Sequence, residues 1–135
     1  MPYVSANFHC VFSTKKRKPL LTPDIRVRLW PYMGGIARAA GMRALAVGGV
    51  DDHVHILLSL PSTMPLSRAM QLVKGASSRW INESFPSETG FAWQKEYGAF
   101  SVSASGLYAV SRYIRNQEQH HRKQSFTDEF TSMLD

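Results

Sequence analysis

Cysteine is almost missing from this chain: Cys10 is the only one among 135 residues. A lone thiol forms no intrachain disulfide, which excludes the disulfide-stapled class of small secreted domains. No apolar stretch is long and unbroken enough to span a membrane, and the N-terminus carries no signal-peptide core, so a cytoplasmic protein with no membrane partner is expected. Internal repeats and low-complexity tracts are missing as well, which excludes solenoid architectures. Acidic residues are few, ten against 16 Lys and Arg, and leave a net charge of +6. That balance favours a polyanionic partner, nucleic acid first, because phosphate neutralisation releases condensed counterions. What is plentiful is apolar residue, 44% of the chain, enough to bury one core without disulfides or a structural metal. Residues 1–135 are therefore read as a single domain.

Punctuation and periodicity predict the elements. Tyr3 to Ser13 is aromatic and β-branched and reads as a strand, followed by a basic loop, Lys15, Lys16, Arg17 and Lys18, closed by Pro19. Thr22-Pro23-Asp24 is a helix start, with an N-cap oxygen and a proline whose missing N–H costs nothing there. The helix should run to about Ala40, with a bend or break near Trp30 where Pro31 and Gly34-Gly35 intervene. Met42 to Val50 and His53 to Leu60, separated by Asp51-Asp52, predict a β-hairpin. Apolar residues recur at helical spacing from Pro65 to about Phe85, and Gly98 to Val102 suggests a last short strand. Ser103 or Ser105 can cap a final helix to about Lys123, and the tail after Ser125 can add a short one. This order is α+β: a split βαβ (ferredoxin/RRM-like) antiparallel sheet, helices on one face and a C-terminal helix.

Two constellations carry chemistry. His53 and His55 lie two apart in the hairpin's second strand, so both imidazoles project from one face while Val54 points to the other. Such a pair can converge on a divalent ion; the plain alternative is two surface or hydrogen-bonded histidines on a half-exposed sheet. On the last helix Tyr113 and Gln117 are four apart and share a face at about 3.6 residues per turn. Gln117 offers a metal a carbonyl oxygen and Tyr113 offers phosphorus a phenol; alternatively both are ordinary packed or solvated residues. His120 and His121 align with Tyr113 and Gln117 and can serve as base or phosphate contact. On the preceding helix Arg68 and Arg79 lie nearly on one face with Gln71 and Gly75, and Lys74 stands beside them. That stripe and the Lys15, Lys16, Arg17, Lys18 cluster are candidate DNA contacts or merely solvated charge. Phe91 and Trp93 can stack bases, although large aromatics more often fill cores or interfaces.

The stretch Asp52-His53-Val54-His55-Ile56-Leu57, with Tyr113-Ile114-Arg115-Asn116-Gln117 and His120-His121, resembles the single-tyrosine transposases of bacterial insertion sequences. These belong to the histidine-hydrophobic-histidine endonuclease superfamily. Ser13-Thr14-Lys15, the segment from Lys74 to Trp80, Phe91-Ala92-Trp93-Gln94 and Tyr97-Gly98-Ala99-Phe100-Ser101 extend the likeness over nearly the whole chain. The resemblance implies that His53, His55 and Gln117 hold Mg2+ or Mn2+ and that Tyr113 is the catalytic nucleophile. It further implies a single-stranded DNA substrate with hairpin-forming element ends, and a homodimer in which active sites can be shared between subunits. Cleavage would then proceed through a 5′-phosphotyrosine bond that a 3′-hydroxyl later reverses. A phenol with an ordinary pKa of about 10 needs help losing its proton, and the metal, His120 or water can give it. Two other readings compete: a zinc hydrolase built on the histidine pair with His120 or His121, which predicts no DNA adduct, and a non-catalytic single-strand nucleic-acid-binding module.

Overall fold

A computed structural model of the chain describes residues 3–121, 131 and 133. The expected end of the last helix near Lys123, and all of the expected tail helix except residues 131 and 133, lie outside the described residues. Four strands, β1 (Asn7–Ser13), β2 (Arg43–Gly49), β3 (His53–Ser59) and β4 (Gly98–Val102), form one sheet in the order β2-β3-β1-β4. Every neighbouring pair is antiparallel. Between β1 and β2 runs α1 (Pro23–Ala39), and β3 inserts between those two strands, which is the expected split βαβ arrangement. Helix α2 (Leu66–Ser84) links β3 to β4, and α3 (Leu107–Arg115) and α4 (Gln117–His121) follow.

Alternation along the strands divides the sheet into two faces. Cys10, Phe12, Val54, Ile56 and Leu58 join Leu29, Met33 and Ala37 of α1 and Ala69, Met70, Val73 and Ile81 of α2 in the main core. Residues of the other parity turn away from α1 and α2, and there Leu57, Ala46 and Ile114 form a second cluster beneath α3. Full burial of a leucine such as Leu57 contributes about 1.5–3 kcal/mol, enough to anchor a short helix that has few partners of its own. The C-terminal helix thus lies on the sheet face opposite α1 and α2.

Three local expectations change. Helix α1 has Pro31 inside it and does not break. Pro31 is on the exposed side, so the Val27 carbonyl deprived of its donor faces water, while Ile25, Leu29, Met33 and Ala37 keep the buried stripe continuous. Thr22 caps that helix as expected, accepting from the Ile25 N–H. Strand β1 begins at Asn7 rather than Tyr3, because the partners stop there: Asn7 pairs with Ser59 on one side and Val102 on the other, and Tyr3 is fully exposed. Finally, Ser103 and Ser105 do not cap the last helix with their side chains; their hydroxyls bond each other at 3.1 Å, and a 3-10 turn, Ala104–Gly106, leads into α3.

Candidate active site

His53 and His55 are both fully buried on the α3 face of the sheet, their ring centroids 5.1 Å apart. They are hydrogen-bonded residues but not surface ones. His53 donates from Nδ1 to Asp52 Oδ1 at 2.7 Å, and Asp52 Oδ2 lies 3.9 Å from Arg17 Nε. The Asp52 backbone is pinned in turn, its carbonyl accepting from the Thr14 N–H at 2.8 Å. On the second ring, His55 Nδ1 lies 2.8 Å from His9 Nε2. Register explains that contact: His9 pairs with Leu57, which makes it the diagonal neighbour of His55 on the same face.

The last helix reaches this pair through an absent side chain. Gly48 is the cross-strand partner of His55, and a Cβ built on Gly48 would fall on the Ile114 carbonyl oxygen. Only glycine lets the backbone of α3 rest on β2 here. Tyr113, one residue earlier, stands edge-on to the His55 ring at 5.8 Å and to the His9 ring at 6.0 Å. The helix expected to continue through Gln117 stops at Asn116, whose φ of −102° and ψ of 24° leave the helical region, and α4 starts at Gln117. Asparagine suits such a break because it is a poor helix former that tolerates turn geometry. Tyr113 and Gln117 therefore do not share one unbroken helix face, yet they stay in touch: Gln117 Nε2 donates to the Tyr113 carbonyl at 3.3 Å. Gln117 is 1% exposed, and its Oε1 is buried with no hydrogen-bond partner among the described residues. Leaving such an acceptor unmet costs about 1–3 kcal/mol, a penalty that a water or a bound ligand at this position would offset.

The basic candidates separate. Lys15, Lys16 and Lys18 are exposed and line a groove of about 470 Å³ with Phe91, Ala92 and Asn82. Lys16 and Arg17 hold left-handed backbone, φ 58° and 54°, as the loop turns back toward Asp52. Arg68 and Arg79 are exposed on α2, on the side of the molecule away from the histidine pair, and Arg68 bonds Gln71. Lys74 does not join them: its ammonium donates to the carbonyls of Gln94, Lys95 and Glu96, and burial pushes its pKa below the ordinary lysine value. That side chain fastens the segment entering β4. Trp93 is core, T-shaped against Phe12 and Phe91 and donating Nε1–H to Ser77. Cys10 is fully buried, and desolvation pushes its thiol up to about 12, so it is no nucleophile. The side chains of His120 and His121 lie outside the described residues.

Two neighbours of the histidine pair were given no role by the sequence: Asp52, which stands in the motif stretch only as a turn residue, and His9, which lies outside it. The signal for His9 is parity: Phe8, Cys10 and Phe12 read as core, which turns Asn7 and His9 to the other face with His53 and His55. Among the described residues no group of three His, Cys, Asp or Glu side chains is placed to hold a metal ion. For an ion on the histidine pair, the unmet Gln117 oxygen has the chemistry of a further ligand. Neutral imidazoles whose outer nitrogens are already engaged, joined by an amide oxygen, fit a divalent cation.

Comparison with known proteins agrees in family and fold. The family described as "Transposase IS200 like" matches residues 3–117. The ISDra2 transposase TnpA of Deinococcus radiodurans is 25% identical over 115 residues, covering 82% of each chain. The transposase for insertion sequence element IS200 of Salmonella typhimurium is 28% identical over 81 residues, and the match covers 60% of this chain and about half, 53%, of that relative. Among solved structures, a Deinococcus radiodurans transposase superposes with a TM-score of 0.70 at 27% identity over 87% of this chain and 95% of its own. A REP-associated tyrosine transposase bound to a REP hairpin shares the fold, with a TM-score of 0.63 at 14% identity over 90% of this chain and 72% of its own.

Proposed function

This chain belongs to the IS200-like transposase family, and from that premise we propose that it cleaves and rejoins single-stranded DNA at element ends through a 5′-phosphotyrosine bond on Tyr113. Two observations carry the reading: the Tyr113 ring stands 5.8 Å from His55, and Gln117, whose Oε1 is buried and unmet, is tied through its amide nitrogen to the Tyr113 carbonyl. His53, His55 and Gln117 are the proposed ligands of Mg2+ or Mn2+. Such an ion, when bound, supplies Lewis acidity to the oxygens of the scissile phosphate.

The remaining work falls to this chain's own groups. Asp52 holds His53 through Nδ1, which places the accepting lone pair of that ring on Nε2. Gln117 gives its amide N–H to the Tyr113 carbonyl, so the orientation that frees its oxygen is tied to the residue carrying the nucleophile. The Tyr113 phenol oxygen attacks phosphorus and loses its proton. The bond to the 3′ oxygen breaks, that oxygen takes up a proton, and the 5′ phosphate stays on the tyrosine. Attack by a 3′-hydroxyl reverses the step and reseals DNA without an external energy source. Lys15, Lys16, Arg17 and Lys18 are the proposed phosphate contacts nearest this face, since Arg17 already reaches Asp52. Arg68 and Arg79 lie away from the cleavage site and would hold more distant DNA. A fold relative was solved on a REP hairpin, and folded-back single strands are the substrate class proposed here. The proposed assembly is a homodimer.

The test is an oligonucleotide carrying the element end, incubated with the protein and Mn2+ and resolved on a denaturing gel. A covalent protein–DNA band that disappears with chelator and in Tyr113→Phe is expected. Binding without any such band would favour the non-catalytic module, and a band that persists in Tyr113→Phe would move the nucleophile elsewhere.

A further inference from the structure

His9 is a buried imidazole, 6% exposed, that the proposed reaction does not use directly. It is enclosed by rings: Phe100 of β4 at 6.3 Å, Tyr113 of α3 at 6.0 Å and His55 of β3 at 5.0 Å. If packing were all that this position required, an apolar ring would fill it without burying polar nitrogens. What the imidazole adds is a polar contact, Nε2 to His55 Nδ1 at 2.8 Å. The contact mirrors the one at His53, where Asp52 engages the same ring atom, Nδ1, at 2.7 Å. Two partners from different elements thus hold the two rings by equivalent atoms.

A neutral imidazole has one N–H and one lone pair. If His55 is the donor of this contact, through Nδ1–H, its lone pair sits on Nε2, as the Asp52 carboxylate requires of His53. We propose that His9 is a positioning residue, holding His55 in the tautomer and ring orientation that presents Nε2 to the metal. This inference rests on the reading of His53, His55 and Gln117 as ligands. His9 touches no substrate in this role; it acts through His55, and its edge contact with Tyr113 places the held ring and the nucleophile against one buried group. Outer partners of ligating histidines change metal affinity by about 10- to 100-fold when removed, even though they donate nothing to the ion.

The experiment uses the full chain, with Mn2+ binding followed by the paramagnetic resonance signal of the free ion. Four proteins are compared: wild type, His55→Ala, His9→Phe and His9→Gln. His9→Phe keeps the ring packing and removes the acceptor, and about 10- to 100-fold weaker Mn2+ binding is expected. His9→Gln sets an amide oxygen near the lost Nε2 and is expected to return affinity to within a few-fold of wild type. His55→Ala should abolish the site. Thermal melting of each variant reports folding, and if His9→Phe does not fold, the tautomer decides the matter on the wild type alone. Nitrogen-15 correlation spectra should show His55 protonated at Nδ1. An Nε2-protonated His55 overturns the proposal. So does wild-type Mn2+ affinity in a folded His9→Phe while His55→Ala loses binding, and that outcome leaves the ligand reading intact. Failure of wild type to bind Mn2+, or unchanged binding in His55→Ala, overturns the ligand reading and this inference with it.

Discussion

Gly48→Ala is the smallest change that should separate folding from catalysis in this chain. A methyl at position 48 meets the Ile114 carbonyl oxygen, which is backbone facing backbone, so no side-chain rotation relieves the clash. Restoring an ordinary carbon contact of about 3.5 Å requires the end of α3 to retreat from β2 by about 1 Å. Overpacking of this kind costs about 1–3 kcal/mol. At this chain length each kcal/mol lowers Tm by roughly 4 °C, so the variant should melt about 4–12 °C below wild type and still fold. Tyr113 is bonded to the residue that moves, and misplacing a reacting group by about 1 Å costs about 100-fold in rate. Single-turnover cleavage of a labelled oligonucleotide, run well below both melting temperatures, should therefore slow by about 100-fold. Gly35→Ala is the control: it is an exposed α1 position where an added methyl meets nothing within 4 Å, and it should gain up to about 1 kcal/mol with its cleavage rate unchanged. Wild-type cleavage by Gly48→Ala would refute the claim that contact between α3 and β2 positions the nucleophile.

Three further outcomes follow from the same geometry. Asp52→Asn removes the carboxylate that accepts from His53 Nδ1, and Mn2+ affinity measured by titration should fall by about 10-fold or more with Tm changed little. Because burial raises the Cys10 thiol to about 12, it stays protonated at pH 8, and a thiol reagent should leave native protein unlabelled while labelling it at once in denaturant. Lys74→Met keeps an unbranched apolar side chain but removes both the ammonium over the Phe12 ring and the donors to residues 94–96; Tm should fall by the equivalent of about 1 kcal/mol or more, and DNA affinity at fixed salt should not change.

The sheet and its helices were legible because each signal was local and strong: Thr22-Pro23 for the start of α1, Asp51-Asp52 for the hairpin turn, and helical periodicity across α2. That His53 and His55 share one face followed from strand parity alone. The contact from His9 to His55 did not, because it depends on the register between β1 and β3, 46 residues apart, which no local pattern sets. Asp52 looked like turn chemistry, and it is a turn residue, but its carboxylate also reaches the histidine ring. Lys74 looked like part of a basic stripe because helical spacing tells nothing of the carbonyls brought up by residues 94–96. The interruption at Asn116 is hidden for a similar reason: a single asparagine is a weak helix breaker, and the pull of Gln117 into a buried position is tertiary. The even spread of apolar anchors along α1 overrode Pro31 in the opposite direction.

Peptide mapping by mass spectrometry of the protein–DNA adduct tests the central claim most directly. The attached nucleotide should reside on Tyr113, form only with Mg2+ or Mn2+ present, and be released when an oligonucleotide with a free 3′-hydroxyl is added. Attachment at Tyr108, the exposed tyrosine on the same helix, or adduct formation in chelator, would contradict the account.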